Sequence, residues 1–95
     1  MTVSAVTTAT VRQTVQAWYM SLVQMGGVQM PGDVQSALQD ICIEAQVNVT
    51  ALPKPLQDLH DDIVERNRRV ERGGYQSCYE TKEVLDIVRE ALTQL

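Results

Sequence analysis

Apolar residues recur along this chain at steps of three and four, the spacing that gathers side chains on one face of an α-helix. Val11, Val15, Trp18, Leu22 and Met25 form the first such row, with Tyr19 and Val23 beside it. The row predicts a helix from about Thr8 to Met25. Gly26-Gly27 should stop it, because a residue without Cβ readily takes the left-handed conformation that terminates helices. Residues 1–7 carry no charge and read as a loose leader.

Val28 to Gly32 is a connector containing Pro31, and Asp33 is the expected N-cap of a second helix from about Val34 to Gln46. Val34, Leu38, Ile41 and Ala45 form its inner row. An extended reading competes, since Ile41, Ile43, Ala45, Val47 and Val49 alternate. Helix is preferred to about residue 46, with room for a short extended segment near residues 47–52. Leu52, placed before Pro53, is pushed out of the α region, and Pro55 suits a helical first turn. A third helix is expected from about Pro55 to Arg72, with Leu56, Leu59, Ile63 and Val70 inward and Val64 beside them. Asn67 falls where this row asks for an apolar side chain. Acidic residues come early in the helix and arginines late, which complements its dipole, and Gly73-Gly74 ends it. Ser77-Cys78-Tyr79-Glu80 fits a capping box. A fourth helix should run from there to about Thr93, with Val84, Val88, Ala91 and Leu95 in one row, Leu85 and Leu92 in the next, and Ile87 broadening the face. The expected fold is all-α: a compact four-helix bundle or orthogonal helical array, one domain over residues 1–95, with no repeat of solenoid length.

Composition narrows the function classes. The chain has 95 residues, 44% of them hydrophobic, which suffices for a core but leaves a thin stability margin that a partner would widen. With no Phe, one Trp and three Tyr it lacks the aromatic platforms on which single-stranded nucleic acid stacks. A net charge of −4 does not gather a polyanion by bulk attraction. No apolar run is long enough to span a bilayer, and the first residues lack the basic and apolar regions of a secretory signal, so a cytoplasmic protein without membrane contact is expected.

The charges are unevenly placed. Residues 1–50 hold only Arg12, Asp33, Asp40 and Glu44, while all other charged residues follow. Gln, Thr and Ser fill the polar positions of the first half. One explanation is that helix 1 is central and wrapped by the others. The other is that the first half forms an interface, whose core is typically poor in charge and rich in aromatic residues and Met. Trp18, Tyr19, Met25 and Met30 are the candidate partner-binding residues on that reading, with Met20 in the same stretch.

The catalytic and metal-binding patterns are weak. Cys42, Cys78 and His60 have neither a local nucleophile signature nor paired zinc-ligand spacing. The two cysteines are expected to be buried and reduced. Asp58, Asp61 and Glu65 share a helix face but lack a calcium-loop pattern, and read as a solvated acidic face. No phosphate-cradling or dinucleotide-binding glycine pattern occurs. No cofactor, no metal and no enzymatic activity are expected.

Arg66, Arg68, Arg69 and Arg72 form the main basic cluster, interrupted by Glu65 and Glu71. Pairing of Asp62 with Arg66 and Glu65 with Arg69 is expected, one turn apart. The reading from sequence is a small non-catalytic protein-interaction module, an adaptor or inhibitor docking on a larger protein or on itself as a homodimer. Its contacts would come from the charge-poor apolar face of helix 1, with the arginines adding orientation. One alternative is a small dimeric helical DNA-binding regulator using the arginine cluster on phosphates. A second is a structural subunit of a larger assembly.

Overall fold

The computed structural model describes the backbone of residues 5–74 and 77–95, and the side chains of residues 8–74 and 77–95. The expected leader falls partly outside this range: residues 1–4 are not described, while Ala5 already belongs to the first helix. Four helices form as the periodicity requires: α1 (Ala5–Gln24), α2 (Pro31–Ala45), α3 (Lys54–Glu71) and α4 (Thr81–Thr93). α1 packs against α2 and α4, and α3 packs against the same two, so α1 and α3 lie across the diagonal of the array.

The helical rows become the core. Val11, Val15 and Leu22 come from α1, Val34, Leu38 and Ile41 from α2, Leu56, Leu59 and Ile63 from α3, and Val84, Val88 and Ala91 from α4. Burying each large aliphatic side chain contributes about 1.5–3 kcal/mol. Asn67, out of place in the α3 row, is half-buried and donates a hydrogen bond to the Gln35 side chain of α2 at 3.4 Å. The polar side chain thereby gains a partner at the edge of the core.

Two short strands were not evident in the sequence. β1 (Val28–Gln29) follows α1, β2 (Tyr79–Glu80) precedes α4, and they pair antiparallel, Val28 opposite Glu80 and Gln29 opposite Tyr79. The Thr81 amide extends the ladder by donating to Gly27 O at 3.0 Å. The chain is therefore two helix–strand–helix halves, α1–β1–α2 and α3–β2–α4. Exchanging the halves maps the strand register onto itself. Helix burial follows the same exchange: Pro31, Val34, Leu38 and Ile41 are buried, and so are Thr81, Val84, Val88 and Ala91, each 50 residues further on. Only the valine pair is identical among these four pairs.

Helix ends correct two sequence expectations. α2 begins at Pro31 with Met30 as N-cap, and Asp33 lies within its first turn. Proline is well suited to that first position, where its missing N–H costs nothing. α4 begins at Thr81 with Glu80 as N-cap in place of Ser77; the last two residues of the expected capping box, Tyr79 and Glu80, form β2 instead. The stretch near residues 47–52 holds a 3-10 turn (Val49–Ala51) between extended Asn48 and Leu52, not a strand. α2 is capped by Gln46, which takes the left-handed conformation (φ 56°), while the Val47 amide donates back to Cys42 O at 3.0 Å. α3 ends in the same motif on glycine: Gly73 has φ 87° and donates to Val70 O, and Gly74 donates to Arg69 O.

Candidate functional site

Each strand joins a helix C-terminus to a helix N-terminus. The C-terminal turns of α1 and α3 and the N-terminal turns of α2 and α4 therefore meet at the strand pair, here called the ribbon end. Most of the residues singled out from sequence lie there.

Trp18 and Tyr19 are half-buried and pack against the core, and the Tyr19 hydroxyl accepts from Arg89 of α4 at 3.4 Å. The more exposed apolar surface lies further along: Met20 is 53% exposed, Val23 55%, Met25 51%, Val28 62% and Met30 43%. Residues 13–32, which contain all five, include no charged side chain. Sequence reasoning named Met25 and Met30, but gave no binding role to Val23 or Val28. Rows of period 3.5 cannot say which member of a face a neighbouring helix leaves open. A groove of about 420 Å³ runs beside this surface, between Leu22, Val23 and Val28 on one side and Thr81, Lys82 and Leu85 on the other.

The arginines divide. Arg66 is built into the fold. Its guanidinium donates to the Asp62 carboxylate at 2.8 Å and to Ser77 O at 3.2 Å, and stacks on the Tyr79 ring 4.1 Å from its centre. The buried Tyr79 donates its hydroxyl proton to the same Asp62 oxygen. Burial opposes ionisation of Asp62, but the hydrogen bonds from Tyr79 and Arg66 and the charges of Arg66 and Arg69 outweigh it and hold the carboxyl below its ordinary value. Burial, then the hydrogen bond to Asp62, push the Tyr79 phenol above its ordinary value. Sequence reasoning found the Asp62–Arg66 pair but not Tyr79, which comes from the other side of the glycine break.

Arg68 and Arg69 remain exposed and share one carboxylate, Glu65, at 3.3 and 3.7 Å. Arg72 is exposed at the α3 C-cap, and no ion pair is found for it among the described residues. The basic cluster and the apolar surface are neighbours. Met30 Sδ lies 3.3 Å from Cys78 Sγ, and Ser77, the residue before, accepts from Arg66.

The cysteines sit differently from expectation, and His60 is part-buried on α3. Both thiols are free, but Cys78 is exposed rather than buried, and Cys42 is half-buried in the last turns of α2. The length of α2 holds Cys42 about 18 Å from the Met30–Cys78 contact, too far for a disulfide. Cys42 and His60 do line one cavity, of about 290 Å³, with Leu38, Val47 and Val49. Burial pushes the Cys42 thiol up, away from the nucleophilic thiolate. His60 Nδ1 is buried without a hydrogen bond, and Asp61 Oδ1 is 3.7 Å away, beyond bonding distance. Among the described residues no three His, Cys, Asp or Glu side chains are grouped to hold a metal ion, and no helix is long and apolar enough to cross a membrane.

The chain matches no known protein family, no curated protein and no solved structure.

Proposed function

We propose that this protein is a small non-catalytic protein-interaction module, an adaptor or inhibitor that docks on a larger protein through the ribbon end. One observation carries the reading: five large apolar side chains, Met20, Val23, Met25, Val28 and Met30, stand 43–62% exposed in a stretch free of charge. Exposed apolar side chains concentrated in one uncharged stretch of a small protein are the kind of surface a partner covers. Methionine suits the role because its flexible thioether adapts to the surface it meets. Trp18 beside α2 and Tyr19 beside Arg89 of α4 are half-buried, and burial of the more exposed surface supplies the affinity.

A homodimer through the same face is the nearest variant of this reading, and solution mass separates it from a monomeric adaptor. Regulation of DNA by the arginine cluster has less support, since Arg66, Arg68 and Arg69 are already paired with carboxylates.

The test uses the double substitution Met25→Gln with Val28→Thr, which removes apolar surface without adding charge. Affinity capture from the native cell extract with wild-type and substituted protein, each checked for folding by circular dichroism, compares the partners retained. The expected result is a folded variant that loses a partner held by wild type. A folded variant that retains every partner overturns the reading.

A further inference from the structure

We infer that a second contact site lies on the outer seam between α1 and α2, where the indole of Trp18 and the carboxylates of Asp40 and Glu44 receive an arginine side chain of a partner protein. The site is separate from the ribbon end and does not rest on the reading of that end.

The seam opens to solvent as a groove of about 430 Å³ lined by residues of α1 and α2 alone. Val15 and Leu22 on α1 and Ile41 on α2 are buried beneath it, whereas Trp18 is only half-covered. The neighbours of Trp18 along the groove are short: Ala17 and Ser21 on α1 and Ala37 on α2. Short side chains cannot fold over the ring, so part of the indole stays within reach of a ligand.

Every charge in the groove is negative. Asp40 and Glu44 are its only charged lining residues, both exposed and one turn apart on α2. Exposed Asp33 lies on the same stripe of α2, one turn before Ala37. The one base of residues 1–50, Arg12, donates instead to Leu95 O, beyond the end of α4. No ion pair is found for Asp33, Asp40 or Glu44 among the described residues. On α3, by contrast, Asp62 and Glu65 each face an arginine one turn on. The fold gains nothing from the α2 arrangement. Like charges one turn apart repel. Glu44 also stands in the last turn of α2, where the helix dipole favours cations and no base is present. A cation seated in the groove reverses both effects.

The indole selects the kind of cation. A hard metal ion takes six or more oxygen ligands, and two carboxylates supply too few. A lysine ammonium is a compact, strongly hydrated point charge. A guanidinium lies flat on an aromatic face and keeps its in-plane N–H groups for carboxylates. Duplex DNA and anionic lipid are repelled by the same carboxylates that attract arginine.

Trp18 is the only tryptophan, so its fluorescence reports on the groove directly. The probes are the pentapeptide acetyl-Gly-Gly-Arg-Gly-Gly-amide and its lysine and citrulline counterparts, citrulline being the uncharged isostere of arginine. Each is titrated into wild type, an Asp40→Asn/Glu44→Gln variant and the Met25→Gln/Val28→Thr variant, all verified as folded by circular dichroism. The expected result is a saturable change in indole emission with the arginine peptide that weakens with added salt. Binding should be about tenfold weaker or more for the citrulline peptide and in the Asp40→Asn/Glu44→Gln variant, and unchanged in the Met25→Gln/Val28→Thr variant. No saturable response to the arginine peptide, an equal response to the citrulline peptide, or full binding by the Asp40→Asn/Glu44→Gln variant overturns the inference. Lysine bound as tightly as arginine overturns the guanidinium assignment. Loss of binding in the Met25→Gln/Val28→Thr variant overturns the separation of the two sites. The affinity capture that tests the ribbon end is independent of all these outcomes.

Discussion

The Tyr79 hydroxyl donates a hydrogen bond to the Asp62 carboxylate, joining β2 to the middle of α3 while Arg66 stacks over the ring. This three-residue group ties the second half's strand to its first helix. Tyr79→Phe keeps the ring and the stacking and loses only the hydrogen bond. With Asp62 partly in water, the expected cost is about 1–2 kcal/mol, read as a lower urea midpoint with an unchanged slope.

The same pair sets the pH dependence. The folded Asp62 carboxyl lies below its unfolded value, so its contribution is present above about pH 4 and is lost as pH falls through the folded value. Folded Tyr79 lies above its unfolded value, so its contribution is complete below about pH 10 and is lost as pH rises toward the folded value. Urea midpoints measured across pH should decline at both extremes in wild type. Tyr79→Phe should lose the alkaline decline from this group. If that decline persists unchanged, Tyr79 is not its source.

The equivalence of the two halves has an energetic consequence. Val34 and Val84 occupy matching positions and are 1% and 0% exposed. Substitution of either by alanine should cost about 2 kcal/mol through lost burial and the cavity left behind. Ile43 is 73% exposed, and Ile43→Ala should change stability by less than about 0.5 kcal/mol. Chemical denaturation of the three variants checks the order.

Two helix ends invite opposite substitutions. Gln46 holds a left-handed conformation without being glycine, so Gln46→Gly should stabilise the chain by about 0.5–1 kcal/mol as relief of the Cβ clash outweighs added chain entropy. Gly27 has φ 79° with open space around it, so Gly27→Ala meets conformational strain alone. It should destabilise by about 1 kcal/mol. Thermal melts should move in opposite directions.

Trp18 and the outer apolar residues should separate in one experiment. Trp18→Ala removes a ring packed against the core and should cost about 2 kcal/mol or more. Met25→Gln with Val28→Thr should stay within about 0.5 kcal/mol of wild type. Equal costs would mean that the exposed surface is part of the stability core.

The rows of period 3.5, the glycine pairs and the prolines were enough to place four helices and most of their inward residues, because helix periodicity and termination depend on neighbours within a few positions. The Asp62–Arg66 pair was legible for the same reason, being one turn apart. The strand pairing was not, since two-residue strands 50 residues apart have no local pattern and form only when four helices bring them together. That juxtaposition also made Glu80 rather than Ser77 the cap of α4, drew Arg66 out of the surface cluster onto Tyr79, and linked Met30 to Cys78. The equivalence of the halves stayed hidden because burial, not identity, is what they share. Periodicity shows that a residue lies on a helix face; only packing decides whether another helix covers it, which is why half-buried Trp18 and exposed Met25 look alike until the chain is folded.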